Sequence, residues 1–80
     1  MSELTIFSRR ILQLCEERGI TVGRLCSSAG ATASTVHDIV NGVTKNPRVL
    51  TLKKLCDALD ITLADFFNTP EFSSMEDELD

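Results

Sequence analysis

Eighty residues suffice for one domain, near the low end of what a single core can stabilise. A content of 42% hydrophobic and 25% charged residues is that of a globular chain rather than a disordered one, and no run of roughly 18 apolar residues occurs that would span a membrane. The formal net charge of −4 argues against a nucleic-acid partner, but the acidity is local: residues 1–70 hold eight Lys/Arg against seven Asp/Glu, whereas residues 71–80 hold five acids and no base.

The opening residues, MSELTIFSRR, lack a basic region leading into a long apolar stretch, so no secretory leader is expected and a cytoplasmic location is. Leu4, Phe7, Ile11, Leu14 and Cys15 recur at three- and four-residue steps, which predicts an amphipathic helix from about Ser2 or Glu3 to Arg18. Arg18 suits the negative end of the helix dipole, and Gly19 ends the helix. After Ile20, the stretch TVGRLCSSAGATASTVHDIVNG reads as two short helices joined by a tight turn. Thr21 has the hydroxyl wanted at an N-cap, Gly30 breaks the pattern, and Thr32 offers a second cap before Ala33 to Val40. Asn41-Gly42 closes that helix, the glycine supplying left-handed backbone. Leu25, Cys26, Ala29, Val36 and Ile39 give each helix one packed face. This is the layout of a helix-turn-helix, whose second helix enters the DNA major groove.

Val43 to Pro47 is a loop by composition, with Pro47 tolerated just before or within the first turn of the next helix. Val49, Leu52, Leu55, Cys56 and Leu59 mark the core stripe of a fourth helix, Asp60 ends it in a conformation that a short polar side chain tolerates, and Thr62 caps a fifth, Leu63 to Phe67. Of Phe66 and Phe67, one is expected in the core, while the other, with Phe72, is a candidate for a dimer seam. The segment EFSSMEDELD is too acidic and irregular to assign, beyond docking contacts offered by Phe72 and Met75. The expected architecture is therefore all-α, five short helices around one core in residues 1–69, followed by a solvated acidic tail at 70–80.

Cys15, Cys26, Cys56 and His37 match a four-ligand zinc site by count, but no closely spaced ligand pair exists. Each cysteine falls at an apolar phase of a predicted helix, where free Cys acts as a small hydrophobe. No metal and no cofactor are expected. With one histidine, no Tyr or Trp, and no nucleophile–base pair on predicted neighbours, no enzyme is expected either.

Leu25, Cys26 at a small-residue position, Gly30, Val36, Ile39 and Asn41-Gly42, followed by the run NPRVLTLKKLCDALDITLADFF, resemble the bacterial and phage Cro/C1-type (XRE) helix-turn-helix family. The resemblance covers roughly Ile11 to Phe67. It implies a lambda-repressor-like bundle with the helix-turn-helix as helices 2 and 3. It also implies sequence-specific binding to duplex DNA by a small transcriptional regulator, with residues 33–41 as the recognition helix and, in many members, a homodimer at least on DNA. Ala33, Ser34, Thr35, His37 and Asp38 then stand at the base-reading surface. Ser34 and Thr35 donate or accept at most bases, Asp38 accepts from cytosine N4, His37 donates to guanine or phosphate, and Ala33 touches a thymine methyl. Thr21, Val22, Arg24 and Thr32, with the loop residues Thr44, Lys45, Asn46 and Arg48, stand where phosphates are held; Lys53 and Lys54 read as a solvated helix face. No small-molecule ligand and no membrane partner are expected.

Several positions depart from the family pattern. Val22 stands where many members carry a phosphate-bonding Gln, and Ala33 where Gln or Arg often reads a base. Cys15 and Val40 replace an Arg and a Glu that pair in many members, so a short hydrophobic contact is expected in place of the ion pair. These departures, with Asp38 and the acidic tail, motivate one alternative: a protein-interaction module, antitoxin-like or accessory, that keeps the fold with weakened DNA contacts.

Overall fold

Thr5 is extended, and its hydroxyl accepts the Ser8 N–H while the Ser8 side chain accepts the Thr5 N–H. This reciprocal capping box satisfies two otherwise free donors and opens α1, Ile6–Arg18, in a computed structural model that describes residues 4–74. Helix α1 thus starts later than hydrophobic spacing suggests. Ser2 and Glu3 lie outside the described residues, and Leu4, expected in the core stripe, is exposed.

The remaining helices are α2 (Val22–Ala29), α3 (Ala33–Val40), α4 (Val49–Ala58), α5 (Leu63–Phe67) and α6 (Pro70–Ser74). The turns between them follow their sequence signals. Gly30 takes φ 65° between α2 and α3, and Asp60 takes φ 59° after α4, the short polar side chain tolerating left-handed backbone. Thr21 accepts from the Arg24 N–H, and Thr62 forms a capping box with Asp65.

Six helices are present among the described residues, not five. Pro70 lacks the N–H that a first helical turn would leave unpaired, the Thr69 hydroxyl accepts from the Phe72 N–H, and Ser73 N–H bonds the Thr69 carbonyl. Phe72 drives this turn inward: its ring centroid lies 5.5 Å from Phe7, 5.8 Å from Phe66 and 4.9 Å from Phe67. The helical part therefore runs past the expected boundary at residue 69, through Ser74. Met75 and the remainder of the acidic tail lie outside the described residues.

The core is Ile11, Leu14 and Cys15 from α1, Leu25 and Cys26 from α2, Val36, Ile39 and Val40 from α3, Leu52, Leu55 and Cys56 from α4, then Leu59 and Phe66. Helix α2 packs on α4, and α3 packs on both α1 and α2, which turns the opposite side of α3 to solvent. One expectation is corrected: Val49 is 62% exposed, so the buried stripe of α4 begins at Leu52. Phe67 and Phe72, both considered for a dimer seam, share one aromatic cluster with Phe7 and Phe66, Phe72 half-buried and Phe67 the more open. Two arginines lock the helix ends: Arg10 donates from Nε to the Phe66 carbonyl (2.8 Å), and Arg18 donates from Nε to the Leu59 carbonyl (2.7 Å). Among the described residues, no helix is long and apolar enough to cross a membrane.

The three cysteines are buried free thiols, as their apolar phase requires. Burial pushes the Cys15 thiol above its ordinary value, with repulsion from Cys26 adding to it, and burial likewise raises Cys56, with Asp57 contributing next. A raised folded value means that the native state holds protons the unfolded chain releases. This stabilisation is complete below about pH 8.5 and is lost as pH climbs through the raised values. The urea midpoint should accordingly fall on the alkaline side of about pH 8.5, and a chain with Cys15→Val and Cys56→Ala should show a flatter decline. Truncating Phe66 to Ala should cost about 3–5 kcal/mol, whereas Phe72→Ala, at a half-buried site, should cost about 1–2 kcal/mol; urea melts at pH 7 measure both.

Candidate nucleic-acid interface

The 3.6-residue period divides α3 into two faces. Val36, Ile39 and Val40 are buried, while Ala33, Ser34, Thr35, His37 and Asp38 are all exposed. The five residues expected to read bases therefore share the solvent side of one short helix, with Ser34, His37 and Asp38 at i, i+3 and i+4. Ser34, Thr35, His37 and Asp38 offer donors and acceptors there, and Ala33 offers a methyl.

Phosphate-holding candidates surround that face. Thr21 is exposed at the start of α2, and because its side chain takes the Arg24 N–H, the amides of Val22 and Gly23 are left as the free donors of that turn. Val22 is half-buried and packs against the core, so it offers a phosphate its backbone N–H and not its side chain. Thr32 sits at the N-cap of α3 with extended backbone but makes no side-chain cap bond. That corrects its expected capping role and leaves both its hydroxyl and the first amides of α3 unengaged.

The loop after α3 is placed by backbone bonds. The Asp38 carbonyl accepts from the Val43 N–H (2.9 Å) and the Thr44 N–H (3.0 Å), and Asn41 N–H bonds the His37 carbonyl (2.8 Å). The chain is thereby wrapped against the end of α3, with Lys45, Asn46 and Arg48 exposed and Thr44 half-buried. Among the described residues the ion pair is Lys53 with Asp57, on the exposed side of α4. Arg24, Lys45 and Arg48 make no ion pair with any described residue, so their charge faces solvent.

One contact behind this face was not legible in the sequence. Ser8 of α1 is fully buried, and its hydroxyl donates to the carbonyl of Ile39, inside the recognition helix, at 2.6 Å. The available signal was a small polar residue three before Ile11 and seven before Cys15, on the apolar face of α1. A buried hydroxyl needs a partner, but the sequence does not say which.

The signature of the Cro/C1-type HTH DNA-binding domain matches residues 10–71. The chain belongs to the Cro/C1-type helix-turn-helix family. It is 38% identical over 55 residues to the HTH-type transcriptional repressor RghR of Bacillus subtilis (strain 168), a match that covers 69% of this chain and 41% of that repressor, so the chain corresponds to less than half of its relative's length. It is also similar to the crystal structure of the prophage Lp1 protein 11, at 30% identity and a TM-score of 0.76, covering 86% of this chain and 91% of that one. Within this Cro/C1-type domain, Cys15 and Val40 are both buried in the common core.

The two N-caps of the helix-turn-helix separate stability from ligand contact. Thr21→Ala should lower stability by about 1 kcal/mol through the lost cap bond. Thr32→Ala, which breaks no side-chain bond, should stay within about 0.5 kcal/mol of the parent. Thermal and urea unfolding compare the two directly.

Proposed function

We propose that this Cro/C1-type domain binds duplex DNA sequence-specifically and acts in the cytoplasm as a small transcriptional repressor. Helix α3 would lie in the major groove, read by Ser34, Thr35, His37 and Asp38 with Ala33 against a methyl. The amide of Val22, with Thr21, Arg24, Thr32, Thr44, Lys45, Asn46 and Arg48, would set the register on phosphates. The reading rests on one observation: an exposed polar face on α3, with helix-start donors in α2 before it and, in α2 and the loop after α3, cations that pair with no described residue. The repressor similarity supports it for the part of that protein which this chain matches.

A homodimer on DNA belongs to the same reading, since two-fold operators present half-sites about one helical turn apart. Val43, Val49 and Leu50 are exposed at 60%, 62% and 76% beside the loop, with Phe67 elsewhere on the surface at 36%. Three or four side chains fall well below the roughly 800 Å² per partner of a stable interface. The copies would therefore meet on the operator and separate in free solution.

Labelled duplexes selected by the protein from a random library test this reading. Three free cations give a slope of log affinity against log salt of roughly −3 for one copy and roughly −5 for two. Ser34→Glu should abolish selective binding without unfolding the chain. Affinity indifferent to both salt and sequence, with capture of a salt-resistant protein partner instead, would overturn the DNA reading in favour of an interaction module.

A further inference from the structure

Helix α3 is held to α1 by two kinds of contact. Val36, Ile39 and Val40 bury apolar surface against the core, an attraction that has no preferred direction of its own. The Ser8–Ile39 bond has a direction and a fixed length. It is also the one side-chain hydrogen bond among the described residues that joins α1 to α3, across 31 positions of sequence.

Its proton can be followed. The Ile39 carbonyl only accepts, so the single Ser8 hydroxyl proton goes there. The contact between Thr5 Oγ1 and Ser8 Oγ at 3.0 Å must then run from Thr5 as donor, and the Thr5 N–H also donates to Ser8 Oγ, at 3.2 Å. Two donors feed this hydroxyl, but the bond to Ile39 is made by Ser8's own proton and needs neither of them. The carbonyl that receives it lies one residue from the end of α3, and it also takes the Gly42 N–H at 3.2 Å.

We propose that Ser8 is the positioning residue of the recognition helix, fixing the angle at which Ser34, Thr35, His37 and Asp38 meet base edges, a role that rests on the DNA-binding reading above. Ser34 stands five residues from Ile39, about 7.5 Å along the axis, so a tilt of about 10° at that end moves it by about 1 Å. A shift of that size breaks a hydrogen bond between Ser34 and a base, because a serine hydroxyl has no length with which to follow. Phosphate contacts made by the flexible Arg24, Lys45 and Arg48 follow it easily. Ser8 therefore governs discrimination between sequences more than total affinity.

The test compares Ser8→Ala and Ser8→Cys, a bulkier and only weakly donating side chain, with Thr5→Val, which removes the Thr5 hydroxyl from the α1 capping box and leaves the Ser8 hydroxyl free to bond Ile39. Duplexes selected by the parent protein are titrated beside duplexes carrying one substituted base pair in the half-site. Both Ser8 variants should lose discrimination by about fivefold or more, with the salt slope and the affinity for unrelated duplex unchanged; Thr5→Val should lose stability and keep discrimination. Without DNA, amide exchange at Val36, Asn41 and Gly42 should speed in the Ser8 variants relative to amides of α2 and α4, and not in Thr5→Val. Equal loss of discrimination in all three variants, or exchange raised uniformly along the chain, would overturn the positioning role. A parent protein with no preference among duplexes would overturn the DNA reading itself, and the exchange comparison would still decide whether Ser8 anchors α3.

Discussion

A helix of eight residues does not hold itself together in water, where even good helix formers need about 12–15 residues. Both α2 and α3 are eight residues long, and α5 and α6 are five each, so all four take their stability from tertiary contacts. The side chains that α3 sends inward, Val36, Ile39 and Val40, are thus a condition for its exposed side existing in one place at all. The same constraint explains the tight punctuation of the chain. Thr5, Thr21 and Thr62 each satisfy a free amide at a helix start, and the left-handed residues Gly19, Gly30 and Asp60 stop α1, α2 and α4 where the core stripe ends.

Charge is distributed by the same logic. Of the eight Lys/Arg residues, Arg10 and Arg18 are tied to backbone carbonyls at the ends of α5 and α4, and Lys53 is paired with Asp57. These cations serve the fold. Those that remain near α3 are Arg24, Lys45 and Arg48, with Asp38 as the opposing acid on the helix itself. A field this weak steers DNA poorly at a distance, so binding of the proposed kind has to depend on helix-start amides and hydroxyls placed at short range. Net charge is a poor guide to such a site, because five of the twelve acids stand in the last ten residues.

What the sequence made legible was local or periodic. Thr21 and Thr62 announce themselves by type and position, Asp60 by its tolerance of left-handed backbone, and the α3 core positions by their spacing. The features that escaped have two sources. Some were local signals outweighed by composition: Pro70 after Thr69 is a helix start, but the acids around Phe72 read as a tail, and burial of Phe72 decides the matter. Others were contacts between distant residues, Arg10 with Phe66, Arg18 with Leu59 and Ser8 with Ile39, which no spacing rule encodes. Val49 shows the converse error, since an apolar residue at a core phase is left in solvent where the helix starts before it reaches its neighbours.

The exposed face of α3 explains why one such distant contact matters so much. The front of α3 carries only short side chains, Ala33, Ser34 and Thr35. Long side chains absorb small errors in helix placement by changing rotamer, whereas an alanine methyl or a serine hydroxyl has no such freedom. In the proposed reading, short groups at the bases would shift the demand for accuracy from the side chain to the backbone that carries it. Cys15 and Val40, buried between α1 and α3, work in the opposite direction, because apolar groups attract without fixing an angle. A directional bond elsewhere between the same two helices resolves that conflict. The hydroxyl of Ser8 on the Ile39 carbonyl is such a bond, and its complete burial keeps water from competing for either partner.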